Sequence, residues 1–182
     1  MTKTGINTSL CTLATNISNM KTKSDIVIPL ELLKNPIHLL STGFGSGLSP
    51  FAPGTAGTAV ALIGYLLLPQ LSLGVYIAML LVLSLLGIYL CHSTSQALGV
   101  HDHSGIVFDE IVGYLVTMTA APAGIPWALA GFALFRLFDV WKPWPISWLD
   151  QHVHGGLGIM LDDILAGIAA MLVIQVAAKF IV

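Results

Sequence analysis

Residues 75–91 read VYIAMLLVLSLLGIYLC. A helix on the surface of a soluble domain keeps one polar face. This run has none, and Ser84 is its only strongly polar residue. Its length sits at the lower end of what a bilayer-spanning helix needs. A fully buried helix of a soluble protein is the competing reading. It requires a broad polar shell, and the surrounding chain does not supply one: residues 35–101 contain no Asp, Glu, Lys or Arg. Further apolar runs follow at 59–68, 111–121, 126–138 and 164–178. The expectation is an all-α protein, a compact helical bundle with about four to five apolar helices that are transmembrane or membrane-embedded.

Composition points the same way. Of 182 residues, 55% are hydrophobic and 9% are charged, with a mean hydropathy of +0.87. Ordinary soluble domains carry about 25% charge. A disordered chain needs the opposite composition. Seven Lys and Arg against nine Asp and Glu leave a net charge of -2, which excludes a nucleic-acid binder carried by charge. Cys11 and Cys91 are the only cysteines, so neither a disulfide scaffold nor a paired-cysteine zinc site is available.

Turns at 69–74 and 121–124 divide the apolar runs. Alternate crossings then gather 43–58, 92–110 and 136–163 on one side. The opposite turns carry no Lys or Arg, whereas Lys3, Lys21, Lys23, Lys34, Arg136 and Lys142 belong to the polar side. Positive residues favour the cytoplasm, so the polar end is expected there. Lys179 is a counter-vote. Trp141, Trp144 and Trp148 suit an interfacial belt. Residues 1–35 read as a polar, flexible extension without a secretory signal, and 36–182 as the helical domain. Pro29 to Leu40 suits a short surface helix interrupted at Pro36.

The charged residues lie at the ends of apolar segments. Asp109 and Glu110 fall early in a helix that Ser104 is placed to cap. Arg136 and Asp139, three apart, share a helix face. Lys142 precedes Pro143, where that helix should stop. Asp162 and Asp163 open the last apolar run, after the glycine-rich stretch from His154. Ionisable groups at the rim of a hydrocarbon layer are costly and mark function. Five carboxylates with two nearby cations leave negative charge that a divalent ion would neutralise. All-oxygen ligands suit magnesium or calcium rather than zinc. The pairs His101/His103 and His152/His154 are weaker ligand candidates.

A second element is GFGSGLSPFAPGTAGT at 43–58, which runs straight into an apolar helix. Glycines let backbone N–H groups approach an anion at a helix start. No Lys follows them and no strand precedes them, so neither a Walker A motif nor a dinucleotide fingerprint is present. Alone the stretch is an ordinary turn. Beside an acidic cluster it becomes a candidate phosphate cradle.

These segments, with IVFDEIVGY at 106–114 and FRLFDVWKPWPISWLDQHVHGGLGIMLDDILAG at 135–167, resemble the phosphatidylglycerophosphatase A family. The resemblance runs from about residue 36 to the C-terminus. It implies a Mg2+-dependent phosphomonoester hydrolase of the bacterial inner membrane. Such an enzyme releases the terminal phosphate of phosphatidylglycerophosphate at the cytoplasmic face. On that reading Asp109, Glu110, Asp139, Asp162 and Asp163 hold one or two Mg2+. Arg136 and Lys142 bind the phosphoryl oxygens, and Gly54, Thr55 and Thr58 add N–H and hydroxyl donors. Water activated at the ion, or one of the aspartates Asp139, Asp162 and Asp163, attacks phosphorus, and His154 protonates the leaving oxygen. The other reading is a small membrane transporter or channel subunit whose carboxylates line an ion path. A soluble helical enzyme with the same motifs is a third.

Overall fold

The computed structural model of the chain describes residues 28–100 and 102–181. Residues 1–27 of the expected extension at 1–35, and His101, lie outside them. Among the described residues there are seven α-helices and no strand: α1 (Pro36–Ser41), α2 (Pro53–Leu67), α3 (Leu73–Leu98), α4 (Phe108–Thr117), α5 (Ile125–Trp141), α6 (Ile146–His152) and α7 (Gly155–Ile181).

Local chemistry sets the boundaries. Pro36 begins α1 rather than interrupting a helix, with the Asn35 side chain accepting the Ile37 N–H at 3.0 Å. Gly99, at φ 67, ends α3 in the left-handed conformation that glycine tolerates best. Trp141 closes α5 just before Lys142-Pro143, as the sequence predicts. Ser104 does not cap α4; the helix starts later, with Val107 at the cap position.

The short α4 is the hub of the bundle and touches α2, α3, α5 and α7. Its buried Tyr114 packs with Phe135 of α5 and Ile174 of α7 in one apolar cluster. Its Val112 packs with Leu90 of α3 and Met160 of α7 in another. Two tyrosine hydroxyls of this interior are partnered inside it, as a water-poor environment requires. The Tyr114 hydroxyl donates to the Ala128 carbonyl at 3.0 Å, and the Tyr76 hydroxyl to the Leu115 carbonyl at 2.7 Å.

Among the described residues two helices, not four to five, are long and apolar enough to cross a membrane: α3 with 26 residues and α7 with 27. At 1.5 Å rise, the 10 residues of α4 and the 15 of α2 reach only about 15 and 22 Å, short of a hydrocarbon core of about 30 Å. The long helices are not the core of a soluble protein. Only 17% and 22% of their most apolar windows are buried. Leu81, Val82 and Leu85 of α3 stay 61–70% exposed. Burying each such side chain stabilises by about 1.5–3 kcal/mol, so in water this face would be a continuous liability. Facing lipid tails it is not.

Candidate active site

The bundle brings its acidic residues together by a glycine-to-glycine helix crossing. Gly113 of α4 and Gly167 of α7 meet with no side chain between them. A Cβ on Gly167 would lie 2.4 Å from the Gly113 carbonyl oxygen, and one on Gly113 would lie 2.8 Å from the Asp163 carbonyl oxygen. Asp109 and Asp163 each stand one helical turn before these glycines, so the same crossing sets the carboxyl groups side by side. Glu110 joins them: one oxygen from each of Asp109, Glu110 and Asp163 lies within 4.8 Å of the others.

These three line a cavity of about 370 Å³ together with Asp102, Asp139, Asp162, Arg136 and Lys142. Six carboxylates therefore face two cations. Four of those carboxylates keep a buried oxygen that has no hydrogen-bond partner among the described residues: Asp109 Oδ1, Glu110 Oε2, Asp162 Oδ1 and Asp163 Oδ2. Orphaned buried acceptors are rare and costly. Burial pushes the Asp109 and Glu110 carboxyls well above their usual range, and repulsion from neighbouring carboxylates adds to it. Such oxygen-only donors, unsatisfied and close together, fit a hard divalent cation. A second cavity, of about 400 Å³, opens at the far end of the bundle around Tyr65, Gln70, Tyr76 and Met118; no charged side chain lines it.

The two cations line the same cavity as the orphaned oxygens. Arg136 pairs through Nη1 with Asp139, one turn on, and its Nη1 lies 4.0 Å from Glu110 Oε1. Lys142, at φ 43 where α5 ends, pairs with Asp162 and reaches Asp150 Oδ1 at 3.0 Å. Burial works against the Lys142 ammonium, but Asp162 and Asp150 outweigh it and raise its pKa above the usual lysine value.

The expected residues divide. Asp109, Glu110, Arg136, Asp139, Lys142, Asp162, Asp163 and Gly54 all line the cavity. Gly54 does so at close quarters, since a Cβ there would stand 2.2 Å from Glu110 Oε1. Thr55, Thr58 and His154 are not among the lining residues. The buried Thr58 hydroxyl donates to the Gly54 carbonyl at 2.8 Å, a bond within its own helix. His154 is exposed, and none of the described histidines joins the carboxylate group. The early half of the glycine stretch is a structural turn: Gly47 packs on the Gly105 carbonyl, and only Ala52, Pro53 and Gly54 reach the cavity. Asp162 and Asp163 do not open their helix. α7 begins at Gly155, because Gly156 and Gly158 allow close contact with the carbonyls of Ile88 and Val153. The two aspartates therefore lie about two turns inside it.

The sequence reading missed Asp102, Ser104 and Asp150. The first two line the cavity from the loop before α4, and Asp150 holds Lys142 from α6. Proximity of Asp102 to the IVFDE segment was the available signal for the loop.

Comparison with known proteins follows the same residues. The sequence model of the family described as Phosphatidylglycerophosphatase A matches residues 39–178. A protein of Escherichia coli strain K12 named phosphatidylglycerophosphatase A is 49% identical over 137 residues, covering 75% of this chain and 80% of that one. Its Haemophilus influenzae namesake is 48% identical over 144 residues, with coverages of 78% and 88%. A Bacteroides thetaiotaomicron protein named as a putative phosphatidylinositol-3-phosphatase is 42% identical over 147 residues, with coverages of 76% and 91%. No solved structure matches the chain. With a match from α1 to the end of α7 and with identities at this level, the chain belongs to the phosphatidylglycerophosphatase A family of phosphatases.

Proposed function

We propose that the chain hydrolyses the terminal phosphomonoester of phosphatidylglycerophosphate, giving phosphatidylglycerol and inorganic phosphate. Family membership supports the reaction, and the cluster of orphaned carboxylate oxygens beside two cations is the observation that carries the site. Residues 36–182 form the phosphatase domain. It sits in the bacterial inner membrane, crossing it through α3 and α7, and its cavity opens to the cytoplasm. The absence of Lys and Arg from the turns at the other end supports that side.

Asp109, Glu110 and Asp163 would hold Mg2+, with Asp139 and Asp162 flanking them. Bound there, the ion supplies positive charge to the phosphoryl oxygens. The rest belongs to the chain. The Arg136 guanidinium, already fixed by Asp139, offers a fork to two phosphoryl oxygens. Lys142 supplies a point charge from the other side. The backbone at Gly54 closes the wall, because no side chain intervenes. Exposed Val140 lines the cavity, and exposed Phe51 and Trp141 adjoin the lining residues Ala52 and Lys142 in sequence; these side chains would keep the acyl chains in the bilayer while the headgroup enters. Asp139 and Asp162, each paired with a cation, would be the carboxylates that handle the nucleophile or proton.

The test is phosphate release by the purified, detergent-solubilised protein. Phosphatidylglycerophosphate is expected to be the fastest substrate, ahead of phosphatidic acid and of phosphatidylinositol 3-phosphate, the latter included because of the Bacteroides relative's name. EDTA should stop the reaction and Mg2+ restore it. Equal rates on all three lipids would remove the headgroup assignment, and full activity in EDTA would remove the metal.

Proton linkage gives a further expectation. Asp109 and Glu110 hold their protons to higher pH than ordinary carboxyls, and a cation must displace those protons. The Mg2+ concentration for half-maximal binding should therefore fall as pH rises. Calorimetric titration in buffers of different ionisation enthalpy would register the released protons, and a pH-independent affinity would contradict it.

A further inference from the structure

Asp150 lies outside the cavity, yet it touches a group inside it. Its Oδ1 accepts from Lys142 Nζ at 3.0 Å, while Asp162 Oδ2 accepts from the same ammonium. Asp150 is carried by α6, a helix of seven residues, and lies eight positions after Lys142 in the chain. We propose that Asp150 is a positioning residue, which holds the Lys142 ammonium at the cavity wall so that it meets the substrate phosphate. The inference rests on the reading of Lys142 as a phosphate-binding group.

The physical need follows from the lysine. Its four-carbon stem is flexible, and an ammonium is a point charge without the preset fork of arginine. Arg136 is aligned by Asp139 on its own helix. Lys142 leaves α5 at a left-handed residue and has no partner of that kind one turn away. Asp162 alone would draw the ammonium toward the carboxylate group around Asp163. That arrangement would cover an oxygen facing the cation site and turn the charge away from the phosphate. A second carboxylate on the outer side balances the pull. At 43% side-chain exposure Asp150 remains hydrated, so it steadies the lysine without neutralising it as a buried partner would. Asp102, the other acid near this wall, lines the cavity instead.

The experiment reads Lys142 directly. Full-length protein in detergent is treated with acetic anhydride, and acetylation of Lys142 is followed by peptide mass spectrometry against the exposed Lys34. In Asp150→Asn, Lys142 is expected to react about threefold faster, since losing a carboxylate lowers its pKa. KM for the lipid is expected to rise about fivefold with kcat within about twofold, the size of one partly exposed charge contact. Asp150→Glu should restore both. Trp148→Ala, which alters the same short helix without touching Lys142, should leave the acetylation rate at the wild-type value. An unchanged rate in Asp150→Asn, or an equal acceleration in Trp148→Ala, overturns the proposal. Protection of wild-type Lys142 by the lipid substrate is a separate arm. Its failure would overturn the phosphate-binding reading, whereas failure of the Asp150 arm with protection intact overturns the positioning role alone.

Discussion

Replacing Asp163 by Asn is expected to lower turnover on the order of a thousandfold, the loss typical when one group that stabilises transition-state charge is removed. Asn keeps the shape and withdraws one of the three oxygens that converge within 4.8 Å. Stability should move the other way. Without metal, wild type confines Asp109, Glu110 and Asp163 in one buried group, with orphaned oxygens and too few cations. Removing a charge from that group relieves repulsion, so the metal-free variant should unfold at the same temperature as wild type or higher. Wild type should gain thermal stability when Mg2+ is added, by mass action on the folded state, and the variant should not. Thermal unfolding with and without Mg2+, beside the phosphate-release assay, measures both. Near-normal turnover in Asp163→Asn would take this residue out of the site.

The second large effect comes from a residue that touches no substrate. Gly167→Ala places a methyl group 2.4 Å from the backbone oxygen of Gly113. Backbone cannot swing aside as a flexible side chain can, so α4 and α7 must separate. Overpacking of this kind costs about 1–3 kcal/mol. The separation also carries Asp109 and Asp163 apart, one turn away, and a displacement of about 1 Å at such a centre costs about a hundredfold in rate. Gly64→Ala is the control. Nothing lies within 4 Å of its would-be Cβ, so Ala should be neutral or stabilise α2 by about 0.5–1 kcal/mol. A Gly167→Ala protein with wild-type activity would show that the crossing does not set the site.

Several parts of this picture are legible in a linear reading and several are not. Apolar runs such as 75–91 announce helices because no polar face is present to permit another fate. The acidic residues at apolar segment ends can be grouped by counting crossings. Thr58 illustrates the limit. A hydroxyl in a glycine-rich stretch reads as a ligand donor, yet once that stretch is helical the nearest acceptor is the carbonyl four residues back. The glycines at 155–158 illustrate it again. Low helix propensity suggests a loop, but contact with the backbone of α3 and of residue 153 outweighs propensity, and α7 starts seven residues before Asp162. The count of spanning helices fails for another reason. Hydropathy registers α2 and α4 as apolar, but at 15 and 10 residues they are too short to cross alone, a shortness already visible in the runs 59–68 and 111–121.

Composition and the order of apolar and acidic segments suffice to establish an all-helical, membrane-seeking chain with its charges drawn to one end. Those properties are sums over local residues, and hydration energy reads them without knowing the fold. The partners of each charge are another matter. That Asp139 belongs to Arg136, that Lys142 stands between Asp162 and Asp150, and that Asp109, Glu110 and Asp163 keep oxygens for a cation follow from where α4, α5 and α7 cross. Electrostatic pairing decays over a few ångströms, so only the packing of glycine against glycine could decide it.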